Sequence, residues 1–339
     1  TGTIMPDTDI SPILVTGAAG FIGHAVSTRL VERGETVIGI DNLNDYYDPA
    51  LKAARLANLK ALDGFRFVEM DVSDADGVKT LVQNNEVQRI IHLAAQAGVR
   101  YSIENPFAYQ KSNLQGHLSL LEASRHAENF QHLVYASSSS VYGDKPMGGE
   151  GFTEEEPAID PVSLYAATKR SGELMSQSYA KLYGFPMTGL RFFTVYGPWG
   201  RPDMAYFGFT QKILAGESIE VYGQGKMARD FTYIDDITEG VVRILEKNIK
   251  PRMDKGEKYK IYNIGNNNSV KLLDFIQAIE ENLGIKAKRN LLPMQPGDVE
   301  KTWANVDDLI TDYEYSPNTP IKKGVSDFIS WYKQYYHIS

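Results

Sequence analysis

The chain has 339 residues, 42% of them hydrophobic and 23% charged, which is enough to bury a large core and to divide between one large domain and a smaller one. A formal charge of −8 and a pI near 5.4 exclude a general binder of nucleic acid or anionic membranes, because no Lys/Arg cluster offsets the acidic surface; any anionic ligand must be met by local arginines. The absence of cysteine rules out disulfides and thiolate metal sites, and the six histidines are scattered without ligand spacing, so no metal is expected.

Residues 1–11 lack the basic start and long apolar core of a signal peptide and are expected to be flexible. No run approaches the ~20 apolar residues of a membrane span, so no membrane partner is expected and the cytoplasm is the expected compartment. The first predicted element is the β-branched run Ile13-Leu14-Val15-Thr16, which flows into Gly17, Gly20 and Gly23. This is a buried strand turning abruptly into a helix. Glycine at 17 permits a backbone angle that a side chain forbids, glycine at 20 lets the backbone approach a ligand, and glycine at 23 lets the helix lie close to its strand. A helix beginning near Phe21 and Ile22 turns its unpaired N–H groups and positive dipole end toward that ligand, and a dinucleotide pyrophosphate suits them. The spacing is G-x-x-G-x-x-G and not the tighter G-x-G-x-x-G, and glycines at a strand end also serve plain turns. A second buried run, Thr36-Val37-Ile38-Gly39-Ile40, ends at Asp41, where an acid accepts from the adenosine ribose hydroxyls. Asn42, Leu43 and Asn44 follow with no arginine to receive a 2′-phosphate, so NAD is favoured over NADP.

Further runs at residues 65–71, 89–95, 132–137 and 187–192 bring the total to at least six strands alternating with helical or loop crossovers. That alternation predicts an α/β fold with a doubly wound parallel sheet of Rossmann type over residues 12–192. Ligands collect at the C-terminal ends of such strands, which singles out Asp41, Asp71, Ala94, Ala95 and the serines from Ser137 on. Beyond Arg191 the chain becomes turn-rich and aromatic, and a smaller α/β substrate lobe is expected from residues 193–228 and 266–320. Segments near 229–265 are free to rejoin the main sheet, through the strand candidate Tyr259–Ile264.

Tyr165 and Lys169 sit one turn apart in a predicted helix running to about Tyr183. Such a pair also arises by chance; its place after a strand ending in Ser137-Ser138-Ser139-Ser140 raises its interest. An unperturbed tyrosine is less than about 1% phenolate at neutral pH. A nearby ammonium lowers such a pKa by roughly 1–3 units, and a positive nicotinamide ring adds to that.

Residues 16–23, Asp41, Asp71-Val72, Leu93-Ala94-Ala95, Asn113, the serine run, Tyr165-x-x-x-Lys169 and the stretch 229–236 together resemble the extended short-chain dehydrogenase/reductase family over about residues 12–335. Within it the sequence is similar to nucleotide-sugar 4-epimerases. Residues 41–47, 97–102, 191–204 and 295–299 look most like the UDP-glucuronate 4-epimerases. The resemblance implies Tyr165 as base, Lys169 as the group that tunes it and grips the nicotinamide ribose, and Ser138 as the hydroxyl that orients the substrate oxygen. It implies NAD held by Gly17, Gly20, Phe21, Ile22, Gly23, Asp41, Asn42, Asp71, Val72, Leu93, Ala94, Ala95, Asn113, Ser137, Tyr165, Lys169 and Phe193. Arg229 would meet the UDP phosphates, with Gln295 and Asp298 over uridine. Ser139, Thr194, Arg201 and Arg100 are polar residues placed to face C6 of the sugar, although a loop arginine such as Arg201 is by default a solvated surface residue.

Thr194 and Gln295 depart from the UDP-galactose 4-epimerase pattern, which has asparagine and arginine there. The implied chemistry is reversible oxidation at C4. Rival readings are a decarboxylating UDP-xylose synthase, a 4,6-dehydratase and a neutral-sugar epimerase. The first two carry acids after the hydroxyl residue, where this chain has Ser139 and Ser140. A dinucleotide-sensing regulator on the same fold would have no need of the Tyr/Lys pair. Wide apolar faces on helices 113–126 and 165–183 fit core burial, or, by resemblance, a homodimer that pairs them.

Overall fold

The computed structural model describes residues 11–144, 151–247, 249–295 and 300–338. Residues 1–10 and Asp298 lie outside these. Seven parallel strands form the central sheet: β1 (Ile13–Thr16), β2 (Val37–Asp41), β3 (Phe65–Glu69), β4 (Arg89–His92), β5 (His132–Ser138), β6 (Met187–Phe192) and β7 (Tyr259–Ile264), in the order β7-β6-β5-β4-β1-β2-β3. β1, β2, β4 and β6 are buried along their whole length. Strands covered on both faces must read as near-continuous apolar runs, which is why the sequence displays them. Alternation within a strand serves both faces. Ile13 and Val15 pack into one core cluster and Leu14 into the other.

The strand order reverses between β1 and β4, whose register pairs Thr16 with His92. A crevice therefore opens beyond the C-terminal ends of these two strands. The helices that frame it are punctuated by their own residues. Asp48 accepts from Ala50 N and Asp74 from Gly77 N. Ser163 accepts from Ala166 N to start the helix Leu164–Tyr183, which stops at Gly184 in the left-handed conformation. The remaining strands are short. Thr194–Tyr196 pairs with Phe231–Tyr233, Ala228–Arg229 lies between Val270–Lys271 and Lys301–Thr302, and Ser218–Val221 pairs with Lys288–Leu291. No helix among the described residues is long and apolar enough to cross a membrane.

Candidate active site

A cleft of about 750 Å³ occupies the crevice. Its floor is the glycine turn. Gly17 has φ +71, and a Cβ there would lie 2.9 Å from Ala94 N; a Cβ on Gly23 would lie 2.0 Å from the Gly17 carbonyl oxygen, so the close approach of helix to strand requires glycine. Gly20 starts the helix Phe21–Glu32 with no side chain capping it and no acid in its first turn. Those open N–H groups fit a pyrophosphate. Phe21, Ile22, Asp41, Asn42, Val72, Leu93, Ala94 and Ala95 line the same end of the cleft. Asp41 also braces the turn, its Oδ2 accepting from Ala19 N at 3.1 Å and its Oδ1 from Leu43 N at 2.9 Å.

Asp71 and Asn113 stand behind this wall and do not line the cleft. Burial works against the Asp71 carboxylate, but hydrogen bonds from Lys111 and Ser73 hold its pKa at about 2. Asn113 lies in a π-helical turn, Gln110–Gln115. Its Oδ1 accepts from Gln96 N at 2.8 Å, and its Nδ2 donates to Gln96 O at 3.0 Å and Thr168 Oγ1 at 3.1 Å. It staples the loop after β4 to the Tyr165 helix.

At the other end Ser137, Ser138, Ser139, Tyr165, Lys169, Phe193, Thr194, Arg100 and Arg201 converge on one space. Burial raises the Tyr165 pKa, opposed by the Ser138 hydrogen bond and then by the charge of Arg201. Burial lowers Lys169 to about 8, and its Nζ donates to Ala136 O at 3.0 Å. The sequence gives Lys169 as the cation that draws Tyr165 down. In the folded chain the Arg201 charge also draws the phenol down, against the nearby Asp203, while the lysine ammonium is hydrogen-bonded to the β5 carbonyl. Arg201 itself is paired with Asp203. Arg100 lies 5.2 Å over the Tyr222 ring. Arg229 lines an adjoining 240 Å³ pocket together with Arg100, Thr194, Tyr222 and Phe275, and its Nη1 donates to Ala228 O and Glu300 O. Gln295 lines neither space.

Three functional-site residues escape sequence reasoning. Glu173 is fully buried and takes Arg191 Nε at 2.9 Å and Nη2 at 3.0 Å, with the Ser137 hydroxyl at 2.6 Å. Burial opposes its charge, yet Arg191 holds its pKa down. This locks the ends of β5 and β6 to the Tyr165 helix. Lys52 faces the cleft near Asp41, its Nζ donating to Asn44 O at 2.7 Å and Oδ1 at 2.6 Å. Arg55, also fully buried, donates to Ala19 O, Trp199 O and Gly200 O at 3.1 Å, 2.6 Å and 3.1 Å. For Lys52 and Arg55 the available signal is two cations three residues apart in the helical pattern at 49–60.

A glycine-cradled anion site at the switch point of a parallel sheet, with a Ser/Tyr/Lys group across the same cleft, defines a dinucleotide-dependent redox enzyme of short-chain type. The chain belongs to the NAD dependent epimerase/dehydratase family, whose model matches residues 13–265. It is 48% identical over 334 residues to Protein CapI of Staphylococcus aureus, covering 96% of this chain and 99% of that protein. UDP-glucuronate 4-epimerase 4 of Arabidopsis thaliana is 46% identical, over 96% of this chain and 76% of its own length. Among solved structures, the UDP-glucuronic acid 4-epimerase of Bacillus cereus in complex with UDP-glucuronic acid and NAD superposes with a TM-score of 0.88 at 35% identity, over 96% of this chain and all of that one.

Proposed function

We propose that the chain interconverts UDP-glucuronate and UDP-galacturonate at C4, with a resident NAD. NAD, when bound, accepts the C4 hydride and returns it to the other face of the 4-keto sugar. Tyr165 takes and returns the proton of the C4 hydroxyl, Ser138 orients that oxygen, and Lys169 holds the nicotinamide ribose. The glycine turn, Asp41, Asn42 and the Leu93-Ala94-Ala95 wall bind the dinucleotide. Residues 193–228 and 266–320 form the UDP-sugar lobe, with Arg229 on the phosphates and Gln295 over uridine. Because the sugar must turn over, the nucleotide contacts carry most of the binding.

The observation that carries the sugar-acid reading is the placement of Arg201, Thr194 and Ser139 in the same cleft as Tyr165 and Ser138. The keto intermediate is a β-keto acid, and it survives if its carboxylate is held with the C5–C6 bond out of line with the carbonyl π system. Ser139 and Ser140 line the cleft directly after Ser138, where a dehydratase or decarboxylase needs an acid. Leu118, Leu174 and Leu182, left 40%, 50% and 68% exposed on the two helices flanking this site, favour a homodimer. NAD and a UDP-sugar as ligands favour a cytoplasmic enzyme supplying sugar acid to polysaccharide synthesis.

Charged hydrogen bonds are worth about 1.5–3 kcal/mol, so Arg201→Met should lower kcat/KM for UDP-glucuronate by roughly 10- to 150-fold while barely changing slow turnover of UDP-glucose. Equal losses on both substrates would mean that Arg201 supports the fold or the nucleotide and does not read the acid.

A further inference from the structure

Arg201 does not meet the cleft as a bare cation. Its Nε donates to Asp203 Oδ1 at 3.0 Å and its Nη2 to Oδ2 at 2.6 Å, a planar fork on a carboxylate. The Tyr46 hydroxyl donates to the same Oδ2 at 3.3 Å. The two side chains are only 26% and 22% exposed and both line the cleft, so the pair is part of the wall of the site. The pairing uses one edge of the guanidinium and leaves Nη1 to a second acceptor.

For an enzyme that merely captured an acid, Asp203 would be a defect. Its charge repels an incoming carboxylate at the cation best placed to receive one. An epimerase has a different need, because its sugar must leave one pose, turn and engage again between two hydride transfers. Free energy that fixes the carboxylate in the first pose adds to the barrier for turning. A guanidinium held at one edge and partly neutralised recognises the acid through its other edge and lets it go.

We propose that Asp203 is a specificity-determining residue that holds Arg201 by its Nε/Nη2 edge and weakens its grip, so that a sugar acid is selected without being trapped. The inference rests on the sugar-acid reading above. Asp203→Asn, which keeps the shape and one acceptor, tests it in two settings. In NAD-loaded Tyr165→Phe protein, where nothing turns over, calorimetry first compares UDP-glucuronate with UDP-glucose. Preference for the acid with Asp203 in place supports the reading; no preference removes the reading and the inference together.

Adding Asp203→Asn should then tighten UDP-glucuronate about tenfold, the scale of one partly screened unit charge at close range, and leave UDP-glucose unchanged. With Tyr165 restored, the same substitution should lower both KM and kcat for UDP-glucuronate. An unchanged or weaker affinity for the acid, or equal losses on both ligands, overturns the proposal. If Asp203→Asn does not fold, Asp203→Ser is read by the same criteria.

Discussion

A phenol buried as Tyr165 is gives up its proton against its surroundings, and only the Ser138 hydrogen bond and the Arg201 charge work the other way. The ring and the hydroxyl therefore have separable roles. Tyr165→Phe should lower kcat by at least the roughly 10²–10⁴-fold of a general base while NAD and UDP-sugar remain bound. Rate measurements beside calorimetry check this, and retention of more than about a hundredth of the wild-type rate would assign the base elsewhere. Lys169→Met should in addition bind NAD less well. At this scale the sequence was legible wherever chemistry is local. Tyr165 and Lys169 share a helix face by their spacing, and Ser138 ends a strand whose pattern is plain. Asp203 was not legible, because an acid two residues from an arginine in a turn looks like ordinary surface charge until the fold turns both into the cleft.

Elements impose their own tests. Gly23→Ala would drive a Cβ into the Gly17 carbonyl oxygen, push the helix Phe21–Glu32 off β1, and is expected to strip bound NAD and lower Tm. Absorbance of the purified variant and a melting curve check both. Arg55→Met should do something different. Arg55 ties the glycine turn, through Ala19 O, to the turn of Trp199 and Gly200 that presents Arg201, and Trp199 holds a left-handed φ of 64. Losing these bonds leaves buried carbonyls unsatisfied, at about 1–3 kcal/mol each. NAD retention and the KM of UDP-glucuronate should worsen together, and unchanged values for both would show the two turns to be independent. The main sheet was readable because its strands are buried on both faces. The strand Lys288–Leu291, exposed along its length, carries no apolar pattern and is held by pairing with Ser218–Val221. The π turn carrying Asn113 likewise follows from packing, since the sequence reads there as plain helix.

Over the whole molecule, buried histidines make the fold acid-sensitive. Burial first, with nearby positive charge, lowers His24 to about 4, His117 and His132 to about 3, and His92 well below its usual value. His92, His117 and His132 each pair with a hydroxyl, on Thr16, Ser176 and Thr188. Their unfolded forms take up protons near pH 6.5, so their contribution to stability is complete above that pH and is lost as pH falls below it. Glu154 and Asp230, raised by burial to about 7 and 6, act in the opposite sense. The balance near pH 5.5 is about two protons, or roughly 2–3 kcal/mol of stability lost per pH unit. Urea midpoints at pH 7.5, 6.5 and 5.5 check this, and a flat profile would contradict it. The central claim is tested most directly by incubating the purified protein, with no added NAD, with UDP-glucuronate and separating the nucleotide sugars. The expected result is UDP-galacturonate, the same mixture reached from either sugar, and no release of carbon dioxide; a UDP-pentose formed with carbon dioxide, or turnover confined to UDP-glucose, would contradict it.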